Sequence, residues 1–399
     1  MKKVLVAGSV VLDIPVGLAA KSYRPINELF EQGKTTALSS ATLYPGGIVG
    51  NTGMALVELD IPTCLYAKIG ADIPGELLTS MVFQANVTGE FAIEKDYPTS
   101  VTIAFTPIGM DKISLFLKGA SQHLFAEDIP IDFLNDADLF HFGYPTTMEC
   151  LYKNEGTELK ALLKRAKETG ITCSMDTALP GMDTNASYVA WRPILKEVLP
   201  LVDIFAPSYE ECLFMLDRDA YTSMVHQANG KNIIDYVTYE DVSRIAETFL
   251  CYGAKIVLLK LGYKGMYLRT ADEERLLDLG KVCLDPFHWA NRELYIPSLH
   301  VSTIRSTIGA GDTANAGFLA ALLRGETPEN ALRIASLAAA KRIQSFSTCN
   351  SVGKYEDLRM ACDQKKPMDP SAFEEGVFIP ENELEDIYLG SKDRKRHVN

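Results

Sequence analysis

The 399-residue sequence lacks the features that define several common classes of protein. Its eight cysteines include no CxxC pair, so the sequence indicates neither a zinc-binding motif nor a disulfide framework. It has no excess of basic residues, and a formal net charge of −13 argues against nucleic acid or an anionic membrane surface as a partner. It also has no apolar run of the roughly 18 to 20 residues that span a bilayer. These absences predict a cytoplasmic protein that binds neither nucleic acid nor membranes.

Two common nucleotide-binding motifs are absent as well. The Walker sequence GxxxxGK[ST] does not occur, and no GxGxxG follows the first apolar run, Val4 to Gly8. The absence of GxGxxG after that run argues against a Rossmann-type oxidoreductase.

Short apolar runs alternate with amphipathic helical patterns along most of the chain. This alternation predicts an α/β fold with a central, mostly parallel sheet that is flanked by helices. Strands are predicted at residues 4–8, 63–69, 139–142, 171–175, 204–206 and 255–261. Helices are predicted at residues 51–59, 157–169, 241–252, 314–323 and 328–345.

Two segments interrupt this alternation, and the composition changes near the C-terminus. Residues of about 13–45 and 90–118 are predicted to form strands joined by turns, which would make a small β-sheet lid over the carboxyl edge of the main sheet. Residues 1–362 are assigned to one domain. Residues 363–399, rich in Pro, Glu, Asp and Lys, are assigned to a C-terminal extension that we expect on the surface or partly disordered.

A glycine-rich turn precedes the first of the two final helices. Without bulky side chains, the backbone amides of residues 309–311 (Gly-Ala-Gly) can point toward one position at the helix N-terminus, where anions are attracted. Asp312 then lies in the first helical turn, where a carboxylate can accept a proton from a hydroxyl while the amides stabilise the developing charge. A capped helix after a tight turn is the alternative explanation of the same residues.

Residues 306–322, STIGAGDTANAGFLAAL, resemble the C-terminal signature of the pfkB family of carbohydrate kinases, also called ribokinase-like. Residues 44–47 (YPGG), Asn51 and residues 68–75 (KIGADIPG) are similar to the N-terminal signature of that family. The resemblance runs from about residue 3 to 355. Four further positions follow in the family's order: Asp13, Asp176, Glu211 and residues 261–265 (LGYKG).

The resemblance implies a ribokinase-like kinase domain at residues 1–362 that uses ATP and Mg²⁺ to phosphorylate a hydroxyl of a small molecule. Asp312 would be the general base, and the loop of Gly309, Ala310 and Gly311 would be the anion hole. Glu211 would organise Mg²⁺ through water, and Ser208, which replaces the family's Asn, would contribute weakly. The hydroxyls of the acceptor would be held by Asp13, Gly46, Gly47 and Asn51. The nucleotide would contact Lys260, Gly262, Gly265, Ser336 and Ser351, with adenine between residues 336–340 and 347–351.

The sequence also bears on the acceptor and on the ions. Residues 46–51 contain no lysine to pair with an existing phosphate, which favours a neutral sugar or polyol over a phosphosugar; a nucleoside stays open. Ser306 replaces an Asp that many relatives carry, so dependence on a monovalent cation is left open.

Asp72 is interpreted as a helix cap rather than a site residue. Lid strands often pair between subunits in this family, which suggests a homodimer. A non-catalytic sugar- or nucleotide-binding regulatory protein is the alternative from another class, and the intact Asp312 argues against it.

Overall fold

A computed structural model describes residues 2–19, 22–23, 25–83, 87–105, 107–108, 113–345, 351–364, 368–369, 373, 377–381 and 386–397. The strands within these ranges are β1 (Val4–Gly8), β2 (Val11–Leu18), β3 (Leu38–Ala41), β4 (Tyr44–Gly46), β5 (Thr63–Gly70), β6 (Thr88–Glu94), β7 (Val101–Phe105), β8 (Ile113–Leu117), β9 (Leu139–Gly143), β10 (Thr172–Asp176), β11 (Ile204–Phe205), β12 (Ile256–Lys260), β13 (Met266–Thr270), β14 (Glu293–Ile296), β15 (Ile379–Pro380) and β16 (Tyr388–Leu389).

Each of the five predicted helices overlaps an observed α-helix, although the helix predicted at residues 157–169 begins at Glu149, and the remaining α-helices are not among the predictions. They are α1 (Ile26–Leu29), α2 (Met54–Glu58), α3 (Ile73–Val82), α4 (Ile131–Asp136), α5 (Glu149–Lys167), α6 (Trp191–Val198), α7 (Tyr209–Leu216), α8 (Arg218–Ala228), α9 (Tyr239–Cys251), α10 (Glu273–Leu276), α11 (Pro286–Trp289), α12 (Ala310–Leu323), α13 (Pro328–Ile343) and α14 (Tyr355–Cys362). A π-helical turn, Val49–Gly53, leads directly into α2.

The main sheet has the strand order β15-β16-β14-β13-β12-β11-β10-β9-β1-β5-β6. The pairs from β6 across to β12 are parallel, and the pairs from β12 to β15 are antiparallel. The prediction of a mostly parallel central sheet is thus confirmed. The fully buried β1 shows why the strand forms, since Val4 and Val6 face one side and Leu5 and Ala7 face the other.

Helices cover both faces of the main sheet. One core cluster joins Leu5 and Phe140 to apolar residues of α4–α7 and α9. The other joins Val4 and Leu139 to apolar residues of α2, α3 and α12–α14. None of the helices in the described ranges is long and apolar enough to cross a bilayer.

A second sheet, called the lid sheet below, has the order β3-β2-β7-β8, with β4 paired to β2. Both predicted lid segments contribute to it, but the predicted start near residue 90 is wrong. Residues 88–94 form β6, which pairs in parallel with β5 at the edge of the main sheet. Residues 109–112 of the predicted segment lie outside the described residues. The lid strands of the second segment therefore begin at Val101.

The C-terminal extension differs from its prediction. In its described part, β16 pairs antiparallel with β14 and with β15, so the extension adds two strands to the main sheet. Asp393 is fully buried and forms an ion pair with Arg292 at 2.9 Å. The expectation of a surface tail is wrong for these residues, because composition alone did not reveal that Ile387 and Leu389 join the core.

Candidate active site

The polar residues of the predicted site lie at or just after the carboxyl ends of the parallel strands. Gly8 of β1 lies opposite Gly143 of β9, which lies opposite Asp176 of β10. Parallel strands present these ends at a single edge, where open α/β sheets bind ligands. The residues at or just after the ends are Tyr144 after β9, Asp176 in β10, Ser208 after β11 and Lys260 in β12.

The Gly-Ala-Gly turn begins α12 at this edge. Gly309 is the N-cap with φ of +73°, a left-handed conformation that favours glycine. The amide of Ala310 donates to the carbonyl of Thr307 at 3.2 Å, so this amide is engaged inside the turn rather than turned toward a shared point as predicted. A Cβ atom added at Gly311 would lie 3.2 Å from Cδ of Lys260, so the lysine stem packs against the turn.

Asp312 is buried in the first turn of α12, with an exposed fraction of 7%. Asn51 Nδ2 donates to Asp312 Oδ2 at 3.0 Å, and the phenol of Tyr144 donates to Oδ1. The hydroxyl of Thr52 donates to the Asp312 carbonyl at 3.3 Å. Burial raises the pKa of Asp312, although Lys260 and these hydrogen bonds oppose the rise. A carboxylate with a raised pKa is a better proton acceptor near neutral pH than an exposed one.

Lys260 is paired with a carboxylate in this structure. Its Nζ lies 2.8 Å and 2.9 Å from the two carboxylate oxygens of Asp176. Asn315 Nδ2 also donates to Asp176, at 2.8 Å. Burial alone would lower the pKa of Lys260, but Asp176, Glu211 and Asp312 outweigh it and raise this pKa. Lys260 therefore stays cationic between Asp176 and the turn that begins α12.

Glu211 and Ser208 form the capping box of α7. Ser208 Oγ accepts from the amide of Glu211 at 3.3 Å, and Glu211 Oε2 accepts from the amide of Ser208 at 2.9 Å. Thr177, which directly follows Asp176, donates to the same Oε2 at 2.9 Å. The capping box holds the Glu211 carboxylate at the sheet edge, so the structural and functional interpretations of this pair are compatible.

The predicted acceptor residues lie together where β2, β4 and the π-helical turn meet. A Cβ atom added at Gly46 would lie 2.0 Å from Asp13 Oδ2, so the Asp13 carboxylate rests against the backbone of Gly46. Gly47 has φ of +71°, and a Cβ atom there would lie 2.5 Å from the carbonyl of Ser9. Asn51 lies in the π-helical turn, an irregularity that is frequent at functional sites.

The predicted nucleotide residues are more spread out. Gly262 and Gly265 flank the turn after β12, with φ of +58° and +101°. Ser336 is buried on α13, and the amide of Ser351 donates to Glu58 Oε2 at 3.0 Å. Residues 347–350 of the predicted adenine segment lie outside the described residues. Asp72, interpreted from sequence as a cap, accepts from the amide of Gly75 at 3.0 Å at the start of α3, which confirms that interpretation.

Several residues that contact the site were not assigned to it from sequence. Tyr144 and Thr52 bind Asp312, and Asn315 binds Asp176. Arg342 is buried on α13, and its Nε lies 3.6 Å from the Cβ position of Gly309. For Tyr144 the sequence offers a positional signal, since it lies two residues after the strand predicted at residues 139–142.

Comparisons with known proteins agree with this architecture. A family profile described as pfkB family carbohydrate kinase matches residues 1–354. A protein of Archaeoglobus fulgidus, described as an uncharacterized sugar kinase, is 25% identical over 305 residues, which are 76% of this chain and 100% of that protein.

Two solved structures have a similar fold. Arabidopsis thaliana ribokinase complexed with ribose and ATP aligns with a TM-score of 0.64 and 20% identity, covering 91% of this chain and 99% of that one. A putative ribokinase II from E. coli in complex with ATP and Mg²⁺ aligns with a TM-score of 0.65 and 19% identity, covering 90% and 98%. The family profile spans most of the sequence. The chain therefore belongs to the pfkB family of carbohydrate kinases, and it is an ATP-dependent enzyme of that class.

Proposed function

We propose that this chain is a cytoplasmic enzyme that transfers the γ-phosphoryl group of ATP to a hydroxyl of a small neutral sugar or polyol. The observation that carries the proposal is the position of Asp312, a buried carboxylate with a raised pKa in the first turn of α12, next to the Gly-Ala-Gly turn. A base and an anion-binding helix N-terminus at one place are what phosphoryl transfer to a hydroxyl requires.

Asp312 is proposed as the general base. Its carboxylate takes the proton of the acceptor hydroxyl while that oxygen forms the bond to the γ-phosphorus and the bond to the ADP oxygen breaks. Tyr144 and Asn51 each donate to one Asp312 oxygen, which fixes the orientation of the carboxylate. Asn51 Oδ1 is buried and has no hydrogen-bond partner among the described residues, so it is available to accept from the acceptor molecule.

The positive charge near the turn supports its role as the anion hole. The N-terminus of α12 carries the positive end of the helix dipole. Lys260 packs against Gly311, and Arg342 lies near Gly309. Because the Ala310 amide is bonded to Thr307, phosphate binding would depend on the remaining amides of the turn and on these cations.

The donor set fits Mg²⁺ held through water. No three His, Cys, Asp or Glu residues in the described part of the chain are grouped closely enough to hold a metal directly. Mg²⁺ normally keeps several waters and takes one or two carboxylates plus the substrate phosphates. Glu211 would be the carboxylate, with Ser208 as a weaker contributor. When bound, Mg²⁺ would neutralise charge on the ATP phosphates.

The residues predicted to hold the acceptor support a neutral polyol. Asp13 can accept hydroxyl hydrogen bonds, and Gly46 lets the Asp13 carboxylate lie directly against the backbone of β4. Residues 46–51 supply no cation for a second phosphate. The Arabidopsis relative is described in complex with ribose, which agrees with a neutral sugar. A nucleoside or phosphosugar acceptor is the alternative within this fold.

The lid sheet supports a homodimer as a second proposal. Its strands β7 and β8 expose apolar side chains, among them Leu115 at 58% and Leu117 at 52%. Exposed apolar strands of this kind are normally covered, because they otherwise promote aggregation. Light scattering after size-exclusion chromatography tests this, and a monomer at micromolar concentration would contradict it.

A coupled ADP-release assay tests the proposed function. The wild-type protein is assayed with Mg-ATP against neutral sugars, polyols, nucleosides and sugar phosphates. We expect one neutral sugar or polyol to give strong turnover above the background of ATP hydrolysis. Strong turnover only with a nucleoside or a sugar phosphate would replace the acceptor class. ATP binding without turnover on any acceptor would favour a regulatory protein.

A further inference from the structure

A small cavity lies between the end of β14 and α13, and the C-terminal extension closes it. Ile296 and Leu299 line one side, Ser336 and Leu337 line the helix side, and Met368 of the extension completes the wall. The cavity measures about 20 Å³, which is room for about one water molecule. The lining combines an apolar part with polar groups, among them the Ser336 hydroxyl, the Gln364 amide and the paired side chains of Arg333 and Asp386. An apolar surface with a few polar groups is the combination that suits a planar base.

The position of this cavity relative to the anion-binding turn fits the base end of a nucleotide. Arg342 Nε lies 3.6 Å from the Cβ position of Gly309, so the end of α13 is beside the turn. Ser336 precedes Arg342 by six residues on α13, which is about 9 Å along a helix. The Cβ position of Gly265 lies 2.0 Å from the carbonyl of Ile296, so the turn after β12 reaches the same wall. The assignment of this cavity to the base rests on the proposed binding of ATP phosphates at the turn that begins α12.

The extension is held against the cavity by specific contacts. Met368 forms an antiparallel bridge with Leu299, and the amide of Asp369 donates to the carbonyl of Ser298 at 2.8 Å. The imidazole of His300 lies 3.0 Å from Asp369 Oδ1. These contacts fix the backbone of Met368 while its flexible side chain can still change rotamer.

A buried ion pair fixes a second part of the extension at the same cavity. Asp386 accepts from Arg333 Nε at 2.7 Å and from Nη2 at 2.8 Å, a bidentate contact between two buried side chains. Arg333 lies one helical turn before Ser336 and also lines the cavity. The extension therefore contributes two of the cavity's walls.

We propose that Met368 forms the movable wall of the base pocket and thereby determines which nucleotide base the enzyme accepts. The cavity is too small for a base when the Met368 side chain occupies its present position. The thioether side chain must rotate for the base to enter, and it can then cover the ring with favourable sulfur–aromatic contacts. The extension thus has a role in nucleotide selection that its composition does not indicate.

The test measures nucleotide binding directly by calorimetry, without a sugar, for ATP and GTP. Met368→Trp is expected to weaken ATP binding about tenfold, because it overfills the pocket. Met368→Ala is expected to raise GTP binding relative to ATP about tenfold, because the larger pocket discriminates less. Met360→Ala, at a methionine of α14 that is 63% exposed, is the matched control and should change neither affinity.

An unchanged ATP affinity in a folded Met368→Trp protein, or an unchanged ratio of GTP to ATP affinity in Met368→Ala, would overturn the proposal. The alanine variant keeps the test decisive if the tryptophan variant does not fold. A wild-type protein that phosphorylates a sugar while the Met368 variants bind nucleotides normally would refute only this inference. A wild-type protein that binds no nucleotide would refute both this inference and the proposed function.

Discussion

Tyr144→Phe is expected to shift the acid limb of the pH–rate profile to higher pH. The Tyr144 phenol donates to Asp312 Oδ1, and this hydrogen bond lowers the pKa of the Asp312 carboxyl. Loss of a hydrogen bond to a charged group costs about 1.5 to 3 kcal/mol. Each 1.4 kcal/mol is about a factor of ten, so losing this hydrogen bond should raise the pKa of Asp312 and lower kcat/KM at the acid end of the profile by about 10- to 100-fold. Because the base acts only when ionised, turnover falls most below that pKa.

The assay is kcat/KM for the acceptor, measured between about pH 5 and pH 9 for wild type and variant. The two profiles should converge at high pH, where Asp312 is ionised in both proteins. Tyr355→Phe is the control, since Tyr355 is also buried and donates to a carboxylate, Glu326 Oε1 at 3.3 Å, outside the site. An acid limb that does not move in a folded Tyr144→Phe protein would refute the assignment of Tyr144 as a positioning residue for the base.

Two further substitutions test the residues proposed to hold the acceptor and the ion pairs that Glu329 forms with Arg292 and with Lys395 of the extension. Gly46→Ala places a Cβ atom 2.0 Å from Asp13 Oδ2, so KM for the acceptor should rise about tenfold or more while KM for ATP stays constant. Gly181→Ala is the control, and equal effects on both KM values would contradict the assignment. Glu329→Gln tests how much a buried carboxylate contributes to stability. Burial raises the pKa of Glu329, but Arg292 and Lys395 outweigh burial and lower this pKa from 4.5 to about 2. A lowered carboxyl pKa stabilises the fold above pH 4.5. The free energy of unfolding of wild type, measured with urea, should therefore fall by roughly 3 kcal/mol as the pH falls toward 2, and that of the variant should fall by less. An equal decrease in both proteins between pH 7 and pH 3 would contradict this.

Much of the fold could be predicted because its signals are local. Buried strands such as β1 are short apolar runs, and α12 follows two glycines that mark its start. Asp72 could be interpreted as a cap because capping acts over three residues, here to Gly75. The same local signals do not distinguish which sheet a strand joins, which is why β6 was predicted in the lid.

The composition of the site could be predicted only in part, because its contacts are long-range. Asp312 and Asn51 were found through motifs, but the hydrogen bond that joins them spans 261 residues. Tyr144 reaches Asp312 across 168 residues, and no local pattern encodes that contact. Lys260 was predicted to contact phosphate, and its pairing with Asp176 depends on strands that are adjacent only in the folded sheet.

The extension shows where composition is a poor guide. Its polar, proline-containing sequence predicts a surface tail, yet Asp393 and Asp386 are buried because each pairs with an arginine of the domain. A charged residue can lie in the interior when its partner is provided from elsewhere in the chain. Such pairs become visible only with the tertiary structure.

The role of Asp312 as the base is measured by the turnover of Asp312→Asn together with its ATP binding. We expect ATP affinity to stay near that of wild type while kcat on the best acceptor falls by about 10² to 10⁴. Near-normal turnover in this variant would show that Asp312 is not the base, because the proton of the hydroxyl would then have to leave by another group.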